Sequence, residues 1–251
     1  MKGKTKLLIT SVSLVLLLVT LFFTVTCVPS AAPAPAPPPP AATPSPKPAP
    51  TVATGLIPKQ TALLVIDPHN EVLHKEGKFA ALGVWKYAEE HNTIANIAKA
   101  IKLCEEQGIP VIRVSLHFHH GYPSVPDRGF MQIVKAKEGF LEGTWGAEYV
   151  SGLEVKPGQI EICKKRFSAF YDTELDTLLR GLGTTTLLIC GVSATHCVNG
   201  TVVDAVDRDY NIIALTDAIA GPSEELVECA YKLWALWGVK LMTVEEALSA
   251  K

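Results

Sequence analysis

Short apolar runs alternate along most of the chain with stretches in which apolar residues recur every three or four positions. Each run is apolar without interruption, which is typical of a strand buried on both faces of a parallel sheet. The predicted strands span residues 62–66, 110–115, 159–163, 187–190, 211–215 and 239–242. The predicted helices span residues 89–107, 174–182, 198–206 and 224–237. This alternation predicts a three-layer, doubly wound α/β fold, with about six mainly parallel strands and helices on both faces.

The N-terminal part of the chain has a different pattern. Residues 1–6 are rich in lysine, and residues 7–28 contain no charged residue over a length that can cross a bilayer. This pattern predicts a cytosolic N-terminus at 1–6, a transmembrane anchor or signal segment at 7–28, and the remaining chain on the extracytoplasmic side. Lipidation at Cys27 after signal cleavage is the alternative. In each case the chain is expected to be attached to a membrane.

Residues 29–54 are mostly alanine and proline, which predicts an extended linker without a core of its own. Residues 55–251 then form the predicted folded domain, which is long enough for one α/β unit with a sizeable core. The formal net charge of the chain is -2, and no basic patch with interleaved aromatic residues occurs. The charge pattern therefore argues against a nucleic-acid partner.

The six cysteines lie at scattered positions without a Cys-x-x-Cys pair, which argues against a zinc ribbon or a disulfide framework. Cys197 lies in a turn between a predicted strand and a predicted helix. The free N–H groups and the dipole at that helix N-terminus favour a thiolate, which makes Cys197 a candidate nucleophile. A buried structural cysteine is the alternative. Four others fall within apolar patterns and are predicted to be core residues: Cys104, Cys163, Cys190 and Cys229.

Two further chemically active side chains follow predicted strands. Asp67 comes directly after the strand 62–66, and Lys164 is the first of three cations after the strand 159–163. Because the carboxyl ends of parallel strands meet at one crevice of a doubly wound sheet, Asp67, Lys164 and Cys197 are expected to lie together. The carboxylate would accept the thiol proton, and the ammonium would favour the thiolate. A cap at Asp67 and a solvated strand edge at Lys164 are the alternatives.

Three histidines, His117, His119 and His120, follow the second predicted strand and raise the question of a metal site. No aspartate or glutamate lies among them, and on a strand His120 would point away from the other two. A polar pocket rim is therefore expected, with a metal ion in the His117 region as the alternative. No glycine-rich phosphate-binding motif follows any predicted strand, which removes the usual dinucleotide and P-loop sites.

Three motifs near the ends of predicted strands resemble those of the isochorismatase-like cysteine hydrolases. They are ALLVIDPHN at residues 62–70, KKRFSAFYDT at 164–173 and GVSATHCVNGTVVDA at 191–205. GTWGAE at 143–148 also matches, and the resemblance extends over residues 56–251. This superfamily includes nicotinamidases, N-carbamoylsarcosine amidohydrolase and ureidoacrylate amidohydrolase.

The resemblance implies a role for each residue at a strand end. It implies Asp67 as the general base, Cys197 as the nucleophile and Lys164 as the third member of a catalytic triad. It also implies a cis peptide bond between Val192 and Ser193. That bond would direct the Ser193 N–H, together with the Cys197 N–H, at a developing oxyanion.

The sequence departs from the family pattern at several positions. His69 replaces the usual glutamine of the first motif, and Ala194 stands where a threonine is usual. Nicotinamidases of this family bind a metal through an Asp-x-His motif on the second strand, but here Ser115 precedes His117 at that spacing. No zinc and no other cofactor is therefore expected. The candidate pocket residues are His69, Asn70, His117, Trp145 and Phe170.

Together the residues and the resemblance predict a hydrolase that cleaves a C–N bond of a small amide, ureido or carbamoyl compound through a thioester acyl-enzyme. Two alternatives stay open. One is isochorismatase-type hydrolysis of a vinyl ether, which needs the acid but not the thiol. The other is a tethered binding domain without turnover. The expected partners are a small-molecule substrate and a membrane at the N-terminal segment, and the resemblance implies a homo-oligomer.

Overall fold

Six strands form one parallel sheet in the computed structural model, which describes residues 56–249. The strands are β1 Thr61–Ile66, β2 Val111–Leu116, β3 Ile160–Lys164, β4 Thr186–Val192, β5 Asn211–Ala220 and β6 Lys240–Met242. Their spatial order is β3-β2-β1-β4-β5-β6, and every neighbouring pair is parallel. The predicted α/β fold with a six-stranded parallel sheet is therefore confirmed.

The helices connect the strands in the manner of a doubly wound sheet. The α-helices of the described residues are α1 Asn70–Leu73, α2 Val84–Glu90, α3 Thr93–Glu106, α4 Gly129–Ala136, α5 Leu175–Gly181, α6 Cys197–Val206, α7 Glu224–Leu236 and α8 Val244–Leu248. Short 3-10 helices lie at Pro58–Gln60, Ala80–Leu82 and Trp145–Ala147. The strand order grows in both directions from β1, so right-handed crossovers place helices on both faces. Ligand sites of such sheets lie where the order reverses, here at the carboxyl ends of β1 and β4.

The core is built from the central strands and the apolar faces of the helices that cover them. Every residue of β1 is buried. α3 contributes a stripe of buried residues at helical spacing, namely Ile97, Ala100, Ile101 and Cys104. α6 contributes a similar stripe, namely Val198, Val202 and Ala205. Burial of each large apolar side chain stabilises the fold by about 1.5–3 kcal/mol, so these stripes hold the helices on the sheet.

The edge strand β3 is buried on one face only. Along it, Ile162 and Lys164 are buried, whereas Glu161 and Cys163 are exposed. An edge strand covered on one side shows this alternation because successive side chains point to opposite faces. The prediction that all four scattered cysteines are core residues is therefore wrong for Cys163 and for Cys229, which is exposed on α7.

Two element boundaries differ from the sequence-based prediction. The predicted helix 89–107 is divided at Asn92, whose φ of 54° ends the helical path between α2 and α3. β5 continues to Ala220, five residues past its predicted end, because Thr216 and Asp217 interrupt the apolar pattern without ending the strand. Asp217 Oδ1 accepts a 2.8 Å hydrogen bond from the Val244 N–H at the start of α8, which accounts for a polar residue there.

The membrane assignment is corrected for the part of the chain that the structure describes. None of the helices within residues 56–249 combines the length and the apolar character that crossing a bilayer requires. The predicted cytosolic stretch 1–6, anchor or signal segment 7–28 and linker 29–54 lie outside the described residues. The expectation of a membrane-spanning protein therefore has no support in the described helices.

Candidate active site

The carboxyl ends of three strands bring a carboxylate, an ammonium and a thiol into contact. Asp67 follows β1, Lys164 ends β3, and Cys197 follows β4 as the first residue of α6. Lys164 Nζ lies 2.7 Å from Asp67 Oδ2 and 3.2 Å from Cys197 Sγ. The structure thus brings together the three side chains that the sequence singles out.

Asp67 is held at its position by the backbone around it. Its N–H donates to the Val114 carbonyl at 2.9 Å, and its carbonyl accepts from the His69 N–H at 2.7 Å. Its φ of 48° turns the chain sharply away from the sheet, a left-handed conformation that aspartate tolerates better than most residues. The carboxylate therefore stays over the end of β1 instead of following the strand direction.

A tight turn between β4 and α6 positions the sulfur. Gly191 lies so close to β1 that a Cβ on it would be 2.1 Å from the Ile66 carbonyl oxygen. The peptide bond between Val192 and Ser193 is cis. The Ser193 carbonyl accepts hydrogen bonds from the His196 and Val198 N–H groups, at 3.0 and 3.1 Å. These contacts place Cys197 at the first position of α6, where a backbone N–H has no partner within the helix.

Lys164 is fully buried, and each proton of its ammonium has an acceptor. Besides Asp67 and Cys197, the ammonium donates to the Arg166 carbonyl at 3.0 Å. Burial alone lowers the pKa of a lysine, but the Asp67 carboxylate and the Cys197 sulfur outweigh burial and raise the pKa of Lys164. The side chain is therefore a fixed positive charge between the other two.

The surroundings of Cys197 favour its thiol form, in opposition to the helix N-terminus, which favours a thiolate. Burial is the largest cause that raises its pKa, the Asp67 carboxylate raises it further, and Lys164 only partly offsets both. The dipole of α6 acts on an almost completely buried sulfur, so desolvation prevails. Asp67 Oδ2 contacts the Lys164 ammonium at 2.7 Å, and Asp67 Oδ1 is buried without a hydrogen-bond donor among the described residues, which leaves lone pairs for the thiol proton.

A small cavity opens onto Asp67 and Cys197. Its volume is about 40 Å³. Its polar members are Asp67, Ser193, His196 and Cys197, and the rest of its lining is apolar. Its aromatic wall is formed by Phe130, Phe140 and Phe167. Only a small substrate group can therefore reach the sulfur without movement of these rings.

His196 is a lining residue that the sequence reasoning missed. Its ring centroid lies 5.2 Å from that of Phe130 and 5.5 Å from that of Phe167. Thr195 Oγ1 is 2.8 Å from His196 Nδ1, and burial lowers the pKa of the imidazole, which favours its neutral form. Its position directly before Cys197 was the signal available. Phe130 gave no comparable signal, because it lies in α4, far along the chain from each motif.

The five candidate pocket residues lie outside this lining. Asn70 and Trp145 border a separate cleft, joined by a 2.9 Å hydrogen bond from Asn70 Nδ2 to the Trp145 carbonyl. Phe170 is buried in the core, with its ring centroid 5.9 Å from that of Tyr210. His117 lies against Cys163 on the other face of β3.

His69 is the fifth candidate, and it is fully buried behind Asp67. Its Nε2 lies 3.9 Å from Asp67 Oδ1 and accepts a 3.2 Å hydrogen bond from the Leu116 N–H. Burial lowers the pKa of His69 to about 4, so the ring is neutral at neutral pH. A neutral imidazole fills the space behind the carboxylate without adding a charge.

No cluster of three or more His, Cys, Asp or Glu side chains that could hold a metal ion occurs in residues 56–249. The three histidines that follow the second predicted strand are dispersed. His119 pairs with Glu142 at 2.6 Å, His120 is exposed, and His117 turns to Cys163. The site at the strand ends, Asp67, Lys164 and Cys197, contains one carboxylate, one amine and one sulfur, so it is not such a cluster either.

Comparisons with known proteins show what this chain is similar to in sequence and fold. A relative from Arabidopsis thaliana, described as a probable inactive nicotinamidase, is 34% identical over 191 residues, covering 75% of this chain and 94% of its own. A ureidoacrylate amidohydrolase from Methylobacterium radiotolerans is 31% identical over 182 residues, covering 66% of this chain and 70% of its own. The crystal structure of N-carbamoylsarcosine amidase from Thermoplasma acidophilum superimposes with a TM-score of 0.61 at 28% identity. The superposition covers 74% of this chain and 97% of that protein's chain.

The sequence profile of the Isochorismatase domain matches residues 61–246. This match begins at the first residue of β1 and extends into α8, so it includes all six strands and the three strand ends that form the site. The chain therefore belongs to the isochorismatase-like hydrolase family.

Proposed function

We propose that this protein is a cysteine-dependent hydrolase that cleaves a C–N bond of a small amide, ureido or carbamoyl compound. One observation carries the proposal: the buried Lys164 ammonium touches both Asp67 Oδ2 and Cys197 Sγ. A thiol, a base and a fixed cation in contact are the components that nucleophilic catalysis by cysteine requires.

In the proposed reaction, Asp67 takes the proton of Cys197 as the sulfur attacks the substrate carbonyl. Lys164 stabilises the thiolate that forms during this step, and the N–H groups of Ser193 and Cys197 donate to the oxyanion. Asp67 returns the proton to the leaving nitrogen, which departs as ammonia or an amine. Water, deprotonated by Asp67, then hydrolyses the thioester and restores the thiol.

The lining of the cavity favours a small, uncharged substrate that carries an apolar group. Lys164 already has three acceptors for its protons, and the remaining lining offers one imidazole whose pKa burial lowers. A substrate carboxylate would find no free cation among the described lining residues. Unsubstituted and alkyl or aryl carboxamides and ureido compounds are therefore the first compounds to test.

The test measures ammonia released from a panel of such compounds by the wild-type chain and two variants. Cys197→Ala is expected to lower kcat by about 10³-fold or more, because it removes the nucleophile while the rest of the site stays. Cys229→Ala is the matched control, since Cys229 is exposed on α7, and it should retain full activity. Wild-type turnover by Cys197→Ala would refute the mechanism.

A binding domain without turnover is the second candidate, because the Arabidopsis relative is described as probably inactive. The two candidates differ in one measurable respect. A hydrolase forms an acyl-enzyme on Cys197, which mass spectrometry detects in an acid-quenched reaction. A panel that gives neither ammonia nor a covalent adduct, but does give saturable binding, would favour the binding domain.

A further inference from the structure

The edge strand β3 carries a second thiol that the proposed reaction does not use. Cys163 directly precedes Lys164, so the two side chains point to opposite faces of the strand. Lys164 is buried, whereas Cys163 is exposed to solvent. The cavity beside Cys197 is not lined by Cys163, nor by its neighbours His117 and Lys165. The two thiols therefore have separate surroundings.

Two nitrogen groups contact the Cys163 sulfur. His117 Nε2 lies 3.1 Å from Sγ, and Lys165 Nζ lies 3.2 Å from it. Ser115 Oγ is 3.3 Å from His117 Nδ1, and the Lys165 ammonium also donates to the His117 carbonyl. A sulfur, an imidazole and a hydroxyl thus form a hydrogen-bonded series, with a cation beside the sulfur. This is the arrangement that activates a cysteine nucleophile.

The charges around the sulfur favour its ionised form. The hydrogen bond to Cys163 is the largest cause that raises the pKa of His117. Partial burial raises the pKa of Cys163, but the hydrogen bonds from His117 and Lys165 outweigh burial and lower it. Glu142, from the loop that follows α4, also raises the pKa of His117 and is itself bound to His119. Cys163 and His117 therefore favour a thiolate–imidazolium pair.

Three other described cysteines have the opposite surroundings. Burial raises the pKa of Cys104 to about 12, and it also raises the pKa values of Cys190 and Cys197. All three sulfurs are buried, whereas Cys163 can be reached from solvent. A reagent that attacks exposed thiolates should therefore distinguish Cys163 from the proposed catalytic cysteine.

We propose that Cys163 is a covalent modification site whose sulfur, held by His117 and Lys165, exchanges with small glutathione-type disulfides. The Cys163 thiolate attacks one sulfur of the disulfide, and the S–S bond of the reagent breaks as the new S–S bond forms. The other half leaves as a thiolate and takes the Nε2 proton of His117. The products are a mixed disulfide at Cys163, one free small thiol and a neutral imidazole. The disulfide supplies the oxidising equivalents, and excess thiol reverses the exchange.

The experiment uses the reduced full chain and oxidised glutathione at pH 6. Modification is stopped with acid at several times, and peptide mass spectrometry locates each mixed disulfide. We expect Cys163 to react about tenfold faster than Cys229, the other exposed cysteine of the described residues, because the His117 and Lys165 nitrogens contact the Cys163 sulfur and favour its thiolate. Equal rates at the two cysteines would overturn the proposal.

Variants test whether the neighbours activate the sulfur. His117→Asn and Lys165→Gln should each slow the modification of Cys163 about tenfold at pH 6, whereas Lys165→Arg, which keeps the charge, should retain most of the rate. The buried Cys104 and Cys190 report folding in the same spectra, because they stay unmodified only while the protein is folded. An unchanged rate at Cys163 in the folded His117→Asn protein would show that the imidazole does not activate it.

Discussion

Lys164 is a completely buried charge, and its partners explain why the fold tolerates it. A lysine ammonium moved from water into a protein interior loses several kcal/mol of solvation. Here the carboxylate at 2.7 Å, the sulfur at 3.2 Å and a carbonyl at 3.0 Å satisfy all three protons. The same three contacts fix the ammonium where the proposed thiolate forms. Stability and the proposed chemistry therefore depend on one side chain.

Replacing this lysine should destabilise the fold. Lys164→Met leaves the buried Asp67 carboxylate without its cation, so the free energy of unfolding should fall by about 3–5 kcal/mol. Adding Asp67→Asn removes the unpaired charge and should recover part of this loss. Urea denaturation of the wild type, the single variant and the double variant measures both effects. A double variant less stable than Lys164→Met would show that the unpaired carboxylate is not the cause.

His69 should make the protein sensitive to mild acid. Its folded-state pKa is about 4, below the 6.5 of an unfolded histidine, so the unfolded state binds more protons between these values. Stability is therefore fully present above pH 6.5 and is lost as the pH falls toward 4, by about 3 kcal/mol in total. His69→Gln keeps a polar side chain that does not titrate, so this variant should lose less stability as the pH falls. Denaturant midpoints at pH 7, 5.5 and 4.5 compare the two proteins.

The position of the segment from β4 to α6 depends on one small residue, Gly191. Gly191 has a φ of 113°, and the pairing of β4 with β5 shifts register between Ile189 and Gly191. The backbone of β4 thereby approaches Ile66 closely enough that no side chain fits between them. The proposed nucleophile is six residues further along, so this contact sets the distance between the sulfur and the end of β1.

Gly191→Ala should therefore destabilise the protein by several kcal/mol, because its Cβ would overlap with the backbone of β1. Gly181→Ala is the matched control: Gly181 ends α5, has no neighbouring atom within 4 Å of an added Cβ, and should be neutral or slightly stabilising. Thermal unfolding monitored by circular dichroism measures both. Similar unfolding midpoints for the two variants would contradict the close approach.

At the scale of the whole molecule, the described residues 56–249 belong to one compact unit, which contains the family match at 61–246. A fragment that spans residues 52–251 should unfold in one transition, with the midpoint of the full chain, because the described core lies within it. A fragment that starts at residue 68 lacks β1, the strand between β2 and β4, and should not fold. Differential scanning calorimetry checks both. A midpoint several degrees lower for the longer fragment would show that earlier residues stabilise the domain.

Several residues of the site could be found from local sequence alone. Asp67 and Cys197 stand out because an apolar strand ends directly before them or before the short turn that precedes them. Lys164 was harder to assign, because it begins a run of three cations and only burial distinguishes it from Lys165. The sequence pattern also failed to predict that the Cys163 side chain faces solvent. An apolar strand pattern does not reveal that the strand lies at the edge of the sheet.

By itself the sequence determined the order of strands and helices, the parallel sheet and the residues that end the strands. These features follow from local periodicity and from the rule that carboxyl ends of parallel strands meet. Only the tertiary structure decided that burial raises the pKa of Cys197, that His69 is neutral, and that Phe130 and His196 line the cavity. Protonation depends on desolvation and on charges from distant strands, and a cavity wall depends on which loops pack together.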